Sequence, residues 1–409
     1  MWLRGAPVNS TALPGRRNRI ISTLGITQIL AWGSTYYLPA VIAKTVSEDT
    51  GWPLEWVVGG LSLGLLIAGL ISPRVGAAID RRGGRNILAL SAGSICLGLL
   101  GLAAASNLFW YVGAWLIVGV GMGAGLYDAA FATLGRLYGQ QGRSAITMLT
   151  LFGGLASTVC WPLSAFLLDQ VGWRGTCVAY AVIQLLISLP LYLLVLPREA
   201  PAPFDSPAGI RRSDPNSARK PHRYLMPVLL AMTLTLAAII SSTLSVHLLN
   251  ILQATGLTLG AAVALGALIG PSQVAARAIE MAVARFHHPI WTKLASTAFT
   301  ALGVAALFAN LPIIPLALMF YGAGIGLESI ARGTLPLALF GSEGYATLMG
   351  RLAMPSLIAQ AAAPSLGALL IERAGTSAAL GALAATALLN VVLACGLARL
   401  SGIRRVYAT

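Results

Sequence analysis

Twelve apolar runs, most of about twenty residues or longer, divide this chain, and nothing else constrains its fold as strongly. Crossing a bilayer takes roughly 20 apolar residues in a helix. The first half carries runs near Ile20–Ala43, Leu54–Ile79, Ile87–Ala105, Leu108–Leu134, Ala145–Leu168 and Thr176–Leu196. The second half carries them near Leu225–Leu252, Leu259–Val283, Leu294–Phe308, Ile313–Phe340, Ala346–Ile371 and Ser377–Leu400. In hydrocarbon the backbone must satisfy its own hydrogen bonds, so such runs are helical. The expected class is an all-α membrane protein with twelve transmembrane helices. Composition agrees, because only 10% of the residues are charged and 57% are hydrophobic. A soluble domain carries about 25% charged residues, so a water-soluble enzyme and a disordered chain are both excluded.

The stretch Arg198–Arg223 is rich in Pro, Ser and charge and cannot bury a core. It reads as a linker, 198–223, between a bundle over 1–197 and a second over 224–409. The net charge of +14 would suggest nucleic acid on a soluble protein, but its distribution follows the membrane instead. With the N-terminus inside and the spans alternating, 21 of the 27 Lys and Arg fall in cytoplasmic segments, Arg285 and Lys293 among them. Lys44, Arg174 and Arg373 fall outside, and Arg277, Arg332 and Arg351 fall within helices. This bias places both termini in the cytoplasm of a multi-pass cell-membrane protein, inner membrane in a Gram-negative source. Arg4, Arg16, Arg17 and Arg19 precede a run too long for a signal peptide and without a small-residue cleavage site, so it reads as a retained first span. The cysteines Cys96, Cys160, Cys177 and Cys395 lie in apolar runs without metal spacing and read as buried hydrophobes.

The halves repeat. Gly121–Leu126 (GMGAGL) matches Gly322–Leu327 (GAGIGL), and the register holds to Thr133-Leu134 against Thr334-Leu335. Ile79-Asp80 with Arg85 matches Ile279-Glu280 with Arg285, and Leu168-Asp169 with Gly172 matches Ile371-Glu372 with Gly375. Two six-span repeats imply a pseudo-twofold axis along the membrane normal and a site near the midplane between them.

The loop after the second run reads Gly76-Ala-Ala-Ile-Asp80-Arg81-Arg82-Gly83-Gly84-Arg85. It resembles the span two–three motif of the major facilitator superfamily, departing at Gly84, where a basic residue is usual. Physically, Gly76 lets two helices approach closely. Asp80, Arg81 and Arg85 can form a charge network that breaks when the halves rock; its counterpart in the second half is Glu280. These five are the expected gating residues. Span eight, Ser272-Gln-Val-Ala-Ala-Arg277, is similar to the Val-Ala-Arg segment of the monocarboxylate and oxalate transporter branch. That resemblance implies that Arg277 faces the cavity and meets a substrate carboxylate. The acidic residue common one turn earlier is replaced by Gln273.

Ionisable residues inside spans are costly and face a cavity or a partner. Asp128 lies in span four, and Glu328 and Arg332 in span ten; Arg351 opens span eleven near a membrane edge, where it can snorkel. Asp128 and Glu328 hold neighbouring repeat positions and are expected to face each other. Two readings stand side by side. In one, Arg277 and Arg332 bind an anion while Asp128 or Glu328 carries a proton. In the other, Glu328 and Arg332 pair at i,i+4 and Asp128 neutralises an arginine elsewhere. Trp32, Tyr36 and Tyr37, with Gln28, are further substrate-binding candidates, and His247 is expected to be a hydrogen-bonded interface residue. Gly153-Gly154 and Trp161-Pro162 predict close packing and a bend in span five.

The family resemblance therefore implies a secondary active transporter that moves a small solute by alternating access, with proton coupling and a monocarboxylate-like anion as substrate. Its rival is efflux of drug-like or cationic compounds, with Asp128 and Glu328 as binding charges; a non-transporting sensor lacks the soluble domain it would need. No nucleophile–base pair, metal ligand set or Walker loop appears in the sequence, so neither enzyme activity nor a cofactor is expected. The expected partners are a small-molecule substrate, protons and the lipid bilayer, and one chain supplies both halves of a pathway, so the expected unit is a monomer.

Overall fold

A computed structural model describes residues 14–198 and 222–402. Most of the expected linker lies outside these residues, as do Arg4, Arg404 and Arg405. The helices of the first half are α1 (Pro14–Ser34), α2 (Pro39–Thr50), α3 (Leu54–Arg82), α4 (Gly84–Ala103), α5 (Leu108–Gly125), α6 (Tyr127–Tyr138), α7 (Gly142–Gly154), α8 (Ala156–Ile183) and α9 (Leu189–Val195). Those of the second half are α10 (His222–Ala254), α11 (Leu259–Gly266), α12 (Ile269–Val283), α13 (Pro289–Phe308), α14 (Ile314–Phe340) and α15 (Tyr345–Leu400). Among the described residues there is no strand.

Eight of these helical stretches are long and apolar enough to cross a bilayer. The stretch Leu108–Val195 contains three rods and Tyr345–Leu400 two. With the N-terminal rod over 14–50 the rods among the described residues number twelve, six to each half. Glycine makes two of the sharp turns between rods. Gly172 (φ 66°) splits α8 and Gly375 (φ 82°) splits α15, both in a region that L side chains rarely adopt. They are the two glycines the internal repeat aligned. Even crossings put both described ends on one face, which also carries Arg81, Arg82, Arg85, Arg143 and Arg285; it is called the basic face below.

Several rods are broken in mid-membrane rather than continuous. The first was expected as one run over Ile20–Ala43, but α1 stops at Ser34 and α2 restarts at Pro39. Pro39 cannot donate a backbone hydrogen bond, and the Ser34 and Thr35 hydroxyls turn back to the Leu30 and Ala31 carbonyls at 2.8 and 2.6 Å. The fourth rod breaks at Leu126 (ψ −170°), after its glycine-rich run, and the Gln28 amide donates to the Gly125 carbonyl at 2.6 Å. Proline frees a carbonyl one turn earlier, and hydroxyls take up two of these. Ser72 donates to Gly69 ahead of Pro73 (2.7 Å), and Ser242 donates to Gln360 ahead of Pro364 (2.9 Å).

The halves meet along α3 and α6 against α15, and along α7 against α12 and α14. Small residues make the approach possible. A Cβ on Gly76 would overlap the Ala346 carbonyl, and one on Gly350 would overlap that of Ser72. Toward the basic face one apolar core is common to both halves, joining Phe131 and Ile146 to Leu337, Tyr345 and Met349.

Candidate functional site

Three rods bring an alternating row of charges together between the halves. Lys293 Nζ lies 2.6 Å from Glu328 Oε1, and Ser296 donates to Glu328 Oε2 at 2.8 Å. One turn further along α14, Arg332 grips Asp128 with two parallel hydrogen bonds, Nε to Oδ1 and Nη2 to Oδ2, each 2.8 Å. This fork-to-carboxylate geometry is the strong form of the interaction. Asp128 stands in the first turn of α6, just past the break at Leu126, where unsatisfied N–H groups favour a negative charge. The row runs Lys293, Glu328, Arg332, Asp128 from α13 through α14 to α6, and its formal charges cancel. Its last link is the one that joins the two halves.

Asp128 and Glu328 therefore do not face each other; Arg332 lies between them. The i,i+4 pairing of Glu328 with Arg332 is replaced by two other partners. Lys293 corrects the loop assignment made from the sequence: it lies in the second turn of α13 and is 0% exposed. Pro289, at the first position of α13, starts the helix early enough to carry Lys293 inside. That signal was present in the sequence. Arg351, by contrast, is exposed, as snorkelling requires.

Arg277 sits apart from the row. It is 4% exposed and donates to three neutral acceptors: the Gly326 carbonyl (3.3 Å), the Thr150 carbonyl of the other half (3.0 Å) and Gln273 Oε1 (3.3 Å). Among the described residues it has no carboxylate partner. The residue that departs from the branch pattern, Gln273, is thus a direct contact. Gly153 and Gly154 of α7 explain how it fits. A Cβ on Gly154 would overlap Arg277 Nη1, and one on Gly153 would overlap the Tyr127 hydroxyl.

Aromatic rings collect beside this guanidinium. Trp32 packs on Tyr36, Tyr37 and Tyr127 with ring centres 5.3, 6.2 and 5.1 Å apart. Tyr37 meets Trp161 at 5.9 Å, and Tyr127 stacks on Phe131 at 5.1 Å. Trp32 donates to Gln28, and Gln360 of the second half reaches the Tyr36 hydroxyl at 3.5 Å. A cleft of about 580 Å³ abuts this cluster through Trp161, lined also by Ala40, Val41, Ser157 and Pro162, on the side away from the basic face. Tyr127, Thr150, Lys293 and Gln360 were not singled out as site residues from the sequence.

Two sets of contacts, called latches below, join the halves at the basic face. Asp80 accepts from the Thr347 backbone N–H at 2.7 Å and from the Thr347 hydroxyl, so it caps the start of α15 across the halves. Arg136 donates to the Asp80 carbonyl. Glu280 forms the second latch at the pseudo-equivalent place. It accepts from Thr292 at 2.7 Å and lies 3.3 Å from His287 Nε2 and 3.9 Å from Arg143 of the other half. Arg143 also donates to the His287 carbonyl at 2.7 Å. Neighbouring His288 is held below the ordinary imidazole value by burial, then by the Arg143 and His287 charges. Arg85 does not cross between halves; it donates to the Leu193 carbonyl within its own half, and Arg81 is exposed. Away from the basic face, Asp49 accepts from Trp173 (2.9 Å) and Arg174 (2.7 Å), which hold its carboxyl below the usual range. His247 bonds the Pro364 carbonyl at 2.8 Å, an interface role. Of the cysteines, only Cys395 is exposed.

Comparison with known proteins fits this arrangement. A family model described as Major Facilitator Superfamily matches residues 23–280. An uncharacterized 38 kDa protein in the 23S RNA operon of Thermoproteus tenax is 29% identical over 289 residues, covering 70% of this chain and 71% of that one. Monocarboxylate transporter 11 of Mus musculus is 32% identical over 141 residues, 34% of this chain and 30% of the mouse protein. Among solved structures, the human organic anion transporter MFSD10 (TETRAN) superposes with a TM-score of 0.72 at 20% identity, over 93% of this chain and 99% of its own. FucP in the outward conformation gives 0.72 at 13% identity, over 95% and 99%.

Proposed function

The chain belongs to the major facilitator superfamily and is a secondary transporter; on that premise we propose that it carries a small, monocarboxylate-like organic anion, coupled to protons, by exposing one site to each face in turn. The observation that carries this reading is Arg277, a buried guanidinium with only neutral acceptors beside an aromatic cluster. A charge buried without a counter-charge costs several kcal/mol, and a substrate carboxylate would recover much of that cost. The rings of Trp32, Tyr36 and Tyr37 would cover the apolar part of the anion. A mouse monocarboxylate transporter and a human organic anion transporter among the similar proteins point the same way.

The Lys and Arg bias supports a cytoplasmic basic face. In that orientation the described arrangement is closed to the cytoplasm by its latches, and the cleft at Trp161 opens outward. Asp128 is the coupling residue in this reading. A proton on its carboxylate weakens the grip on Arg332 and with it the central bond between the halves. Glu328, neutralised by Lys293, holds that row in register. The rival reading, cation efflux, needs free carboxylates in the site, and both are already matched by Arg332 and Lys293.

Uptake of radiolabelled monocarboxylates into proteoliposomes, with and without an inward proton gradient, tests the proposal. Arg277→Ala is expected to abolish gradient-driven uptake while the protein still folds, and Arg277→Lys to retain a fraction of it. Undiminished uptake by the Ala variant would overturn the assignment.

A further inference from the structure

The cavity on the outer surface of the first half, at the basic face, belongs to neither the pathway nor the latches. It measures about 560 Å³ and is lined by Arg82, Arg85, Asn86, Leu193, Leu194 and Arg198. The turn between α3 and α4 supplies two of its arginines, and the segment after α9 supplies the third. Arg85 is partly committed to the Leu193 carbonyl, one of the last in α9. Arg82 and Arg198, among the described residues, have no hydrogen-bond or ion-pair partner, and no described lining residue is acidic. Three guanidinium groups around one hollow repel one another unless an anion sits between them. Arginine's planar fork suits phosphate oxygens, which it can bind two at a time.

The surroundings point to the source of that phosphate. Leu194, on the rim, is 83% exposed. Beyond it, α9 and the Gln184–Ser188 turn pack against α4, and Leu186, Leu90 and Leu97 are exposed along this seam. The arginines therefore stand at one end of an outward-facing apolar seam. A free phosphate would use only the arginines, whereas a phospholipid would use both parts, its phosphate in the hollow and its acyl chains along the leucines. Basic hollows between transmembrane helices at this depth suit anionic head groups. We propose that this cavity is a binding site for the phosphate of an anionic phospholipid, which bridges the α3–α4 turn to the end of α9 and is separate from the transported solute.

The full-length protein in phosphatidylcholine nanodiscs, titrated with phosphatidylglycerol and read by native mass spectrometry, tests this. R82A/R198A is expected to weaken phosphatidylglycerol binding about thirtyfold and to leave phosphatidylcholine unaffected. R74A/R399A removes the same charge elsewhere and is expected to change binding less than threefold. Leu194→Gln keeps every arginine and adds no charge, so it probes the acyl seam even if the arginine variant misfolds; it too should weaken phosphatidylglycerol. Equal losses in the two arginine variants would reduce the site to diffuse surface charge and overturn it. Glycerol phosphate binding as tightly as phosphatidylglycerol, or no effect of Leu194→Gln, would assign the hollow to a soluble phosphate and overturn the lipid.

Discussion

If the bond between Arg332 and Asp128 holds the halves together at the centre, Asp128→Asn should loosen them by a calculable amount. The substitution preserves shape and removes the charge. Two charge-assisted hydrogen bonds of 2.8 Å are at stake, between side chains only 18% and 15% exposed. Breaking a buried pair by removing one partner costs about 3–5 kcal/mol. The residual exposure, and one hydrogen bond still available to the amide, favour the lower end. Arg332 cannot turn fully to Glu328, because both Glu328 oxygens are engaged by Lys293 and Ser296. A loss of about 3 kcal/mol changes the ratio of closed to open forms at the basic face roughly a hundredfold. Spin labels can read this at the opposite face, on Phe109→Cys and Leu311→Cys, both exposed and in different halves. Cys395, the exposed native thiol, is first changed to serine. The Asn variant should populate shorter label distances as that face closes. Arg332→Gln should do the same, and the double variant should add little, since the bond is already gone. An unchanged distance distribution, or costs that add to within about 0.5 kcal/mol, would refute the argument.

Gly154→Ala should abolish transport while leaving expression intact, because its methyl takes the space of Arg277 Nη1; uptake per molecule of purified protein measures it. Gly76→Ala meets the backbone carbonyl of Ala346, which no rotamer can relieve, and should open the basic face at a cost of about 1–3 kcal/mol, seen as shorter opposite-face distances in the spin-label experiment. His288 has a lowered folded pKa, so its contribution to stability is complete above the ordinary value of 6.5 and is lost as pH falls toward the lowered one. Thermal melts at pH 7.5 and 5.5 should show a larger acid loss in wild type than in His288→Gln.

Much of the architecture could be read in the sequence because lipid permits few solutions. Run lengths marked the twelve rods, and the repeat aligned Gly172 with Gly375, which the structure shows to be sharp turns of positive φ at equivalent places. Asp80 and Glu280, aligned by the same repeat, both latch one half to the other. The breaks inside rods were less legible. A run such as Ile20–Ala43 is apolar throughout, and hydropathy does not register that Pro39 cannot donate or that Thr35 can bond back to Ala31.

The pairing of the buried charges was illegible for a different reason. Local spacing offered Glu328 to Arg332, and that pair would be sound on an isolated helix. Lys293 decides otherwise. It is fully buried, its ammonium cannot remain there alone, and among the described residues Glu328 is the carboxylate bonded to it. Once Glu328 is taken, Arg332 has to find its anion on another rod, and the break at Leu126 presents Asp128 at a helix start within reach. A single misplaced helix boundary, which put Lys293 in a loop, therefore changed the partner of every other charge in the row. The same bookkeeping isolates Arg277. With Lys293, Glu328, Arg332 and Asp128 matched in sequence across the seam, no carboxylate of the row is left for it, and among the described residues it keeps only its three neutral acceptors.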